Sequence, residues 1–319
     1  MKFPRFEMER MQSAWEHKVR YDLSESGVEA LTLEEITRDP KELLRTPLGY
    51  AEGVGREETR ALVASFHPGH GADDVVITTG TSEANFIALG TLVSAGDEVV
   101  VVMPNYMQLH GVATALGARV REVWLREERS WTIDLDALAA AVNARTKAIC
   151  VCTPNNPTGQ VLSRAEIDRV IAIAAKHGAW ILSDEVYRGA ELDSVESASF
   201  SGRGERIVVT GGLSKVYGLP GLRIGWLVAP EDEAQAALRL KDYTTIAPAT
   251  MSETLAEIAL ERRTELLKRA RFILGERWPK LEDWAATHSR DSAPSGTCAS
   301  ASAWRRGSSI PASRRSTAF

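Results

Sequence analysis

The chain has 319 residues, 44% hydrophobic and 25% charged, with a formal net charge of −5. That length and balance suit one large globular domain with a smaller one beside it. The net acidity argues against bulk nucleic-acid binding, and no apolar run approaches the ~18 residues that a membrane span needs.

The opening residues are charged throughout and lack the apolar core of a signal peptide. Residues 5–19 read as a helix, with Phe6, Met8, Met11 and Trp15 as apolar points. Gly27, in the segment LSESGV, suits a backbone turn close to a ligand. Thr32 and Glu35 have the spacing of a capping box. Tyr50 then lies in a glycine-punctuated loop, and residues 56–67 read as a helix.

From Asp73 onward short apolar strands alternate with amphipathic helices. Strands are expected in DVVITTG, DEVVVVMP, residues 119–124, TKAICVCTP, AWILSDEVY, RIVVTGG and RIGWLVAP. Helices are expected after the first strand, over 107–116, over 134–142 and over 163–177, the last with Ser163 and Glu166 as a capping box. This alternation predicts an α/β fold, a mostly parallel seven-stranded-type sheet covered by helices, with chemistry at the carboxyl ends of the strands. Residues 231–243 and 252–278 read as two further helices.

The expected organisation is an N-terminal arm over 1–45, a large domain over 46–250, and a linker helix leading into an incomplete small domain over 251–288. The tail over 289–319 is mostly Ser, Arg, Ala, Gly and Pro, and by composition cannot build a packed core. Cys150 and Cys152, two apart, face one side of a strand, and Cys298 stands alone. This pattern fits a reducing, cytoplasmic setting and has no metal-ligand spacing.

One stretch, TGGLSKVYGLPGLRIGW over 210–226, concentrates the chemistry. Lys215 stands among small and apolar residues, so its amine is expected to be partly desolvated and able to attack a carbonyl. Gly80, Thr81 and Ser82 fall where a strand gives way to a helix, a place suited to a phosphate or to a plain N-cap. Asn156 lies in the turn TPNNPTG. Asp184 ends an apolar strand, where a buried carboxylate needs a partner, and Tyr187 follows three residues on.

The ordered set GTSEAN, MPNY, NNPTG, SDEVY and SKxxGxxGxR resembles the fold-type-I pyridoxal-phosphate enzymes, in particular the class I/II aminotransferases, over roughly residues 20–285. The resemblance implies pyridoxal 5′-phosphate as cofactor, and an amino acid and a 2-keto acid as substrates. Lys215 then matches the lysine that forms the internal aldimine, and Asp184 the acid that pairs with the pyridinium nitrogen. Asn156 and Tyr187 match the pair that bonds the phenolic oxygen, and Tyr106 the ring that stacks on the cofactor. Arg223, Thr81, Ser82 and Ser214 match the phosphate cradle. Tyr50 matches a tyrosine that reaches the neighbouring site of a homodimer, and Gly27 falls where the N-terminal segment covers the substrate.

Two departures stand out. Gly212 occupies a position where many relatives carry a phosphate-binding Ser or Thr. The tail replaces the small domain whose arginine clamps the substrate carboxylate, and Arg305, Arg306, Arg314 and Arg315 have no strand context for that role. Its composition is what a GC-rich gene yields when read out of frame, so a frameshift near residues 286–292 is expected. Transamination is not separated by these motifs from lyase, cyclase or oxidase chemistry at the same carbon, nor from a cofactor-binding remnant without turnover. A nucleic-acid-bound regulator would need a helix-turn-helix segment.

Overall fold

A computed structural model describes residues 2–288, apart from 21, 23, 38 and 194. The tail, with Cys298 and its four arginines, lies outside the described residues.

The chain opens with α1 (Glu7–Trp15), α2 (Leu33–Ile36), α3 (Pro40–Leu43) and α4 (Glu57–Ala64). It continues through β1 (Val75–Thr78), α5 (Gly80–Leu92), β2 (Glu98–Met103), α6 (Gln108–Ala115), β3 (Arg119–Trp124) and α7 (Leu135–Ala141). Then come β4 (Thr146–Cys152), α8 (Arg164–His177), β5 (Trp180–Asp184), β6 (Ile207–Gly212) and β7 (Gly225–Val228). It closes with α9 (Glu231–Lys241), α10 (Thr250–Glu261) and α11 (Arg263–His288).

The seven strands form one sheet in the order β1-β7-β6-β5-β4-β2-β3. β7 runs antiparallel to both its neighbours, and the remaining pairs are parallel. Burial on both faces explains the unbroken apolar runs. In β2, Val99 and Val101 pack into the core beneath α5 and α6, while Val100 and Val102 pack into the opposite core beneath α7 and α8. Ile149 and Ile181, both essentially inaccessible, each contribute about 2–3 kcal/mol by leaving water. β3, at the edge, is the strand with mostly exposed side chains. Cys150 and Cys152 are free and buried, and burial pushes the Cys150 thiol up to about 12.

Both expected capping boxes form. Thr32 Oγ1 accepts from Glu35 N at 3.3 Å, and Ser163 Oγ accepts from Glu166 N at 3.2 Å. α8 stops at Gly178, whose φ of 67° only glycine adopts without strain.

Two helices differ from expectation. α1 is shorter than residues 5–19, because it has no side-chain cap and buries none of its residues, so nothing holds its ends against fraying. The long helix expected over 252–278 is broken at Arg262, which departs from helical geometry at φ −94°, ψ 15°. The Arg262 guanidinium donates to the carbonyls of Glu35 and Ile36 at 2.8 and 2.7 Å, closing the end of α2. This tertiary contact is invisible to helix periodicity.

Candidate active site

The expected site residues gather at the carboxyl ends of β4, β5 and β6 and at the start of α5. Asp184, the last residue of β5, is buried. Its Oδ2 accepts from Asn85 Nδ2 at 2.8 Å and its Oδ1 from the N–H of Val186 at 3.1 Å. Asn85 Oδ1 in turn accepts from Thr210 Oγ1 of β6 at 2.7 Å. Burial pushes the Asp184 carboxyl up, and the Asn85 bond, the Val186 N–H and the Lys215 charge oppose it. Asp184 is thus a buried carboxyl held in place by Asn85 and the Val186 N–H, with its proton affinity raised, suited to share a proton with a ring nitrogen.

Lys215 follows β6 in a loop closed by Leu213 N donating to Ile224 O at 3.0 Å. The N-terminal segment docks on this loop. Val28 N donates to Lys215 O at 3.2 Å and Leu31 N to Gly218 O at 2.9 Å. Gly27 sits so close that a Cβ there would lie 3.3 Å from Ser214 O. One expectation needs correction. The Lys215 amine does not face a purely apolar surround, because its Nζ forms an ion pair with Glu25 Oε1 at 2.8 Å. Burial works against the Glu25 carboxylate, but the Lys215 charge, its hydrogen bond and the Gly27 N–H hold it below the usual range.

Asn156 Nδ2 donates to Tyr187 Oη at 3.0 Å, and Ser26 Oγ shares a hydrogen bond with the same hydroxyl at 2.7 Å. The turn that carries Asn156 is fixed by Asn155 Nδ2 donating to Pro104 O at 3.1 Å. Tyr106 is partly buried, packs on Phe6 with 5.1 Å between ring centroids, and donates to Glu9 Oε1 at 2.5 Å. Burial, first, and then Glu9 push its hydroxyl up, with smaller effects from Tyr187 and Asp184. Burial likewise pushes Tyr187 up.

The start of α5 is packed closely by way of glycines. Gly80, at φ 76°, starts α5, and a Cβ there would meet Arg223 Nη2 at 2.6 Å. Arg223 Nη1 lies 3.5 Å from Ser214 Oγ. Thr81 Oγ1 is buried without a hydrogen-bond partner among the described residues. A buried hydroxyl left open beside a guanidinium and a helix start fits a phosphate oxygen. Gly212 is explained by the same geometry: a Cβ on it would lie 2.5 Å from Thr81 Oγ1. Thr81 fills the space that a side chain at 212 would need.

Two expected residues are not drawn into this cluster within the chain. Ser82 is exposed, and its carbonyl accepts from Gln108 Nε2 at 2.6 Å. Tyr50 is 94% exposed. Sequence reasoning missed Asn85, Ser26, Glu25 and Glu9. Asn85 alone left a signal, as an amide on the buried face of an otherwise apolar helix.

The family model for aminotransferase class I and II matches residues 21–277. The capreomycidine synthase of Streptomyces vinaceus is 36% identical over 277 residues, covering 84% of this chain and 71% of that protein. A PLP-dependent aminotransferase from Streptococcus suis superposes with a TM-score of 0.86 at 32% identity, covering 90% of this chain and 79% of the other. The PLP-dependent cyclase OrfR superposes with a TM-score of 0.84 at 30% identity, covering 91% and 77%.

Proposed function

Because the chain belongs to the aminotransferase class I and II family, whose enzymes use pyridoxal 5′-phosphate, we propose that it moves an amino group between an amino acid and a 2-keto acid at the Lys215 site. The observation that carries this reading is Asp184, a buried carboxylate at the end of β5, fixed by Asn85 and close enough to Lys215 to feel its charge.

The residues fit the cofactor, and each takes a role. Arg223, Thr81, Ser214 and the first N–H groups of α5 would hold the phosphate. Tyr106 would lie against the ring. Asn156 Nδ2 and Tyr187 Oη would donate to the phenolic oxygen, and Asp184 would keep a proton on the ring nitrogen. When bound, the cofactor supplies an electron sink for the bonds of the substrate α-carbon. Lys215 Nζ carries the proton transfer, taking the proton from the substrate α-carbon as a positioned base. The N-terminal segment, docked through Val28 and Leu31, covers Lys215 and limits water there.

A cofactor-holding domain over 46–250 is supported by all seven strands falling inside it. A homodimer is supported by Tyr50, Leu48 and Tyr243, each more than four-fifths exposed. A second reading, ring closure at the same carbon, is favoured by the similarity to a capreomycidine synthase and to a PLP-dependent cyclase.

The test has two stages. Adding pyridoxal phosphate is expected to give an absorbance band near the visible edge that is lost in Lys215→Ala. Product formation that requires a 2-keto acid supports transamination, whereas product without any amino acceptor supports the second reading. Absence of the band in the unaltered chain would sink both.

A further inference from the structure

We propose that Glu9 and Glu25 make this site select an amino acid with a cationic side chain, a guanidinium or an ammonium. The inference rests on the reading of the Lys215 site given above.

The N-terminal segment lies against the site through aromatic contacts. Phe3 faces Phe86 with 6.3 Å between ring centroids, and Phe6 packs on Tyr106. These ring contacts seat α1 over the residues that would touch cofactor and substrate. Gln12 Nε2 donates to Ser24 O at 2.8 Å and ties α1 to the strand of chain behind it. Two carboxylates are delivered as a result. Glu9 reaches Tyr106, and Glu25 reaches Lys215, while Ser26 beside it reaches Tyr187. Ser26 thereby places the chain next to Glu25 against the Asn156–Tyr187 pair.

Each carboxylate is engaged through one oxygen. Glu9 Oε1 accepts from Tyr106, and Glu25 Oε1 accepts from Lys215 and from Gly27 N at 2.7 Å. The Oε2 atoms are left as acceptors among the described residues. Lys215 is the cation that Glu25 holds here. As a substrate arrives, while that amine would be committed to the cofactor and before the substrate amine frees it, Glu25 lacks its counterion, and a substrate cation would restore the pair. Charge-assisted bonds to carboxylates are shorter and stronger than neutral ones, and a guanidinium presents its donors in a fork that matches a carboxylate. A neutral side chain of the same shape gains none of this. An acidic side chain would face two like charges.

The experiment uses the full chain loaded with pyridoxal phosphate. Dissociation constants are measured for L-arginine, L-lysine and L-citrulline, the last a neutral isostere of arginine. Calorimetry and the change in the cofactor absorbance band give independent readings. The unaltered protein is expected to bind arginine or lysine about tenfold or more tightly than citrulline. Preference between arginine and lysine identifies which cation the carboxylates fit. Glu9→Gln and Glu25→Gln, which keep shape and remove charge, are each expected to bring the arginine-to-citrulline ratio toward one. Equal affinity for arginine and citrulline in the unaltered protein overturns the proposal. So do variants that weaken both ligands alike. A cofactor band that never forms overturns the Lys215 reading and this proposal with it, while a band without cation preference overturns this proposal alone.

Discussion

Thr81 Oγ1 stands 2.5 Å from where a Cβ on Gly212 would be, so one side chain on α5 excludes another on β6. Thr81 brings a hydroxyl from α5 to the place where a side chain on Gly212 would stand. Gly212→Ser is expected to destabilise the protein by about 1–3 kcal/mol through overpacking and to weaken retention of pyridoxal phosphate. Adding Thr81→Ala should recover only part of the stability, because the new side chain would still press on Ile224 O and on the Gly225 Cα. Thermal unfolding and cofactor titration of the single and double variants check both statements.

Asn85 is the second point at which α5 controls the sheet. Asn85→Ala would leave Asp184 with the Val186 N–H and strip Thr210 of its acceptor. A loss of about 1–3 kcal/mol is expected in denaturant unfolding. Asn85→Asp should cost more, since it sets a second carboxylate against a buried one.

The course of the sheet, its layers and the positions of Lys215, Asp184 and Asn156 were legible because strands buried on both faces write themselves as apolar runs. Catalytic groups also stand out at the ends of those runs. Asn85 and Glu25 were not, for a physical reason. Each works by meeting a residue far away in the chain, Asp184 and Lys215 respectively, and no local period records such a meeting. Arg262 is the same case: its role as a cap for α2 overrides a helical pattern that is locally continuous. Gly212 read as a deficit until the facing Thr81 was in view.

Acid sensitivity should trace to His67. The ring is buried, both its nitrogens lack hydrogen-bond partners among the described residues, and burial, then Arg188, His70 and Arg263, hold it well below 6.5. The folded protein keeps this ring neutral while the unfolded chain takes up a proton below about 6.5. Stability is therefore expected to fall as pH drops from about 7 through that value. His67→Phe should flatten this limb, which urea midpoints between pH 7.5 and 5 would reveal. An unchanged slope would assign the acid sensitivity to another group.

The second copy is expected to cover Leu48, Tyr50 and Tyr243. Lys241 Nζ bonds both Gly53 O and Ile246 O at 2.7 and 2.8 Å, tying the loop before α4 that carries Leu48 and Tyr50 to the end of α9 beside Tyr243. Sedimentation should show a dimer, and Leu48→Asp or Tyr243→Asp should shift it to the monomer. A monomer in the unaltered protein would remove the role given to Tyr50.

β1 lies at the edge of the sheet, and β7 stands between it and β6. On the ribosome, Val75–Thr78 therefore emerges long before Gly225–Val228, the segment it must pair with. α5, which carries Thr81 and Asn85, follows β1 directly and is delayed with it. Gly80 and Thr81 can therefore meet Arg223 and Gly225 only once the β7 region has been made, a meeting of long sequence separation. A nascent chain halted at the end of β6, before β7, would expose β1 as an unpaired strand and lack Arg223.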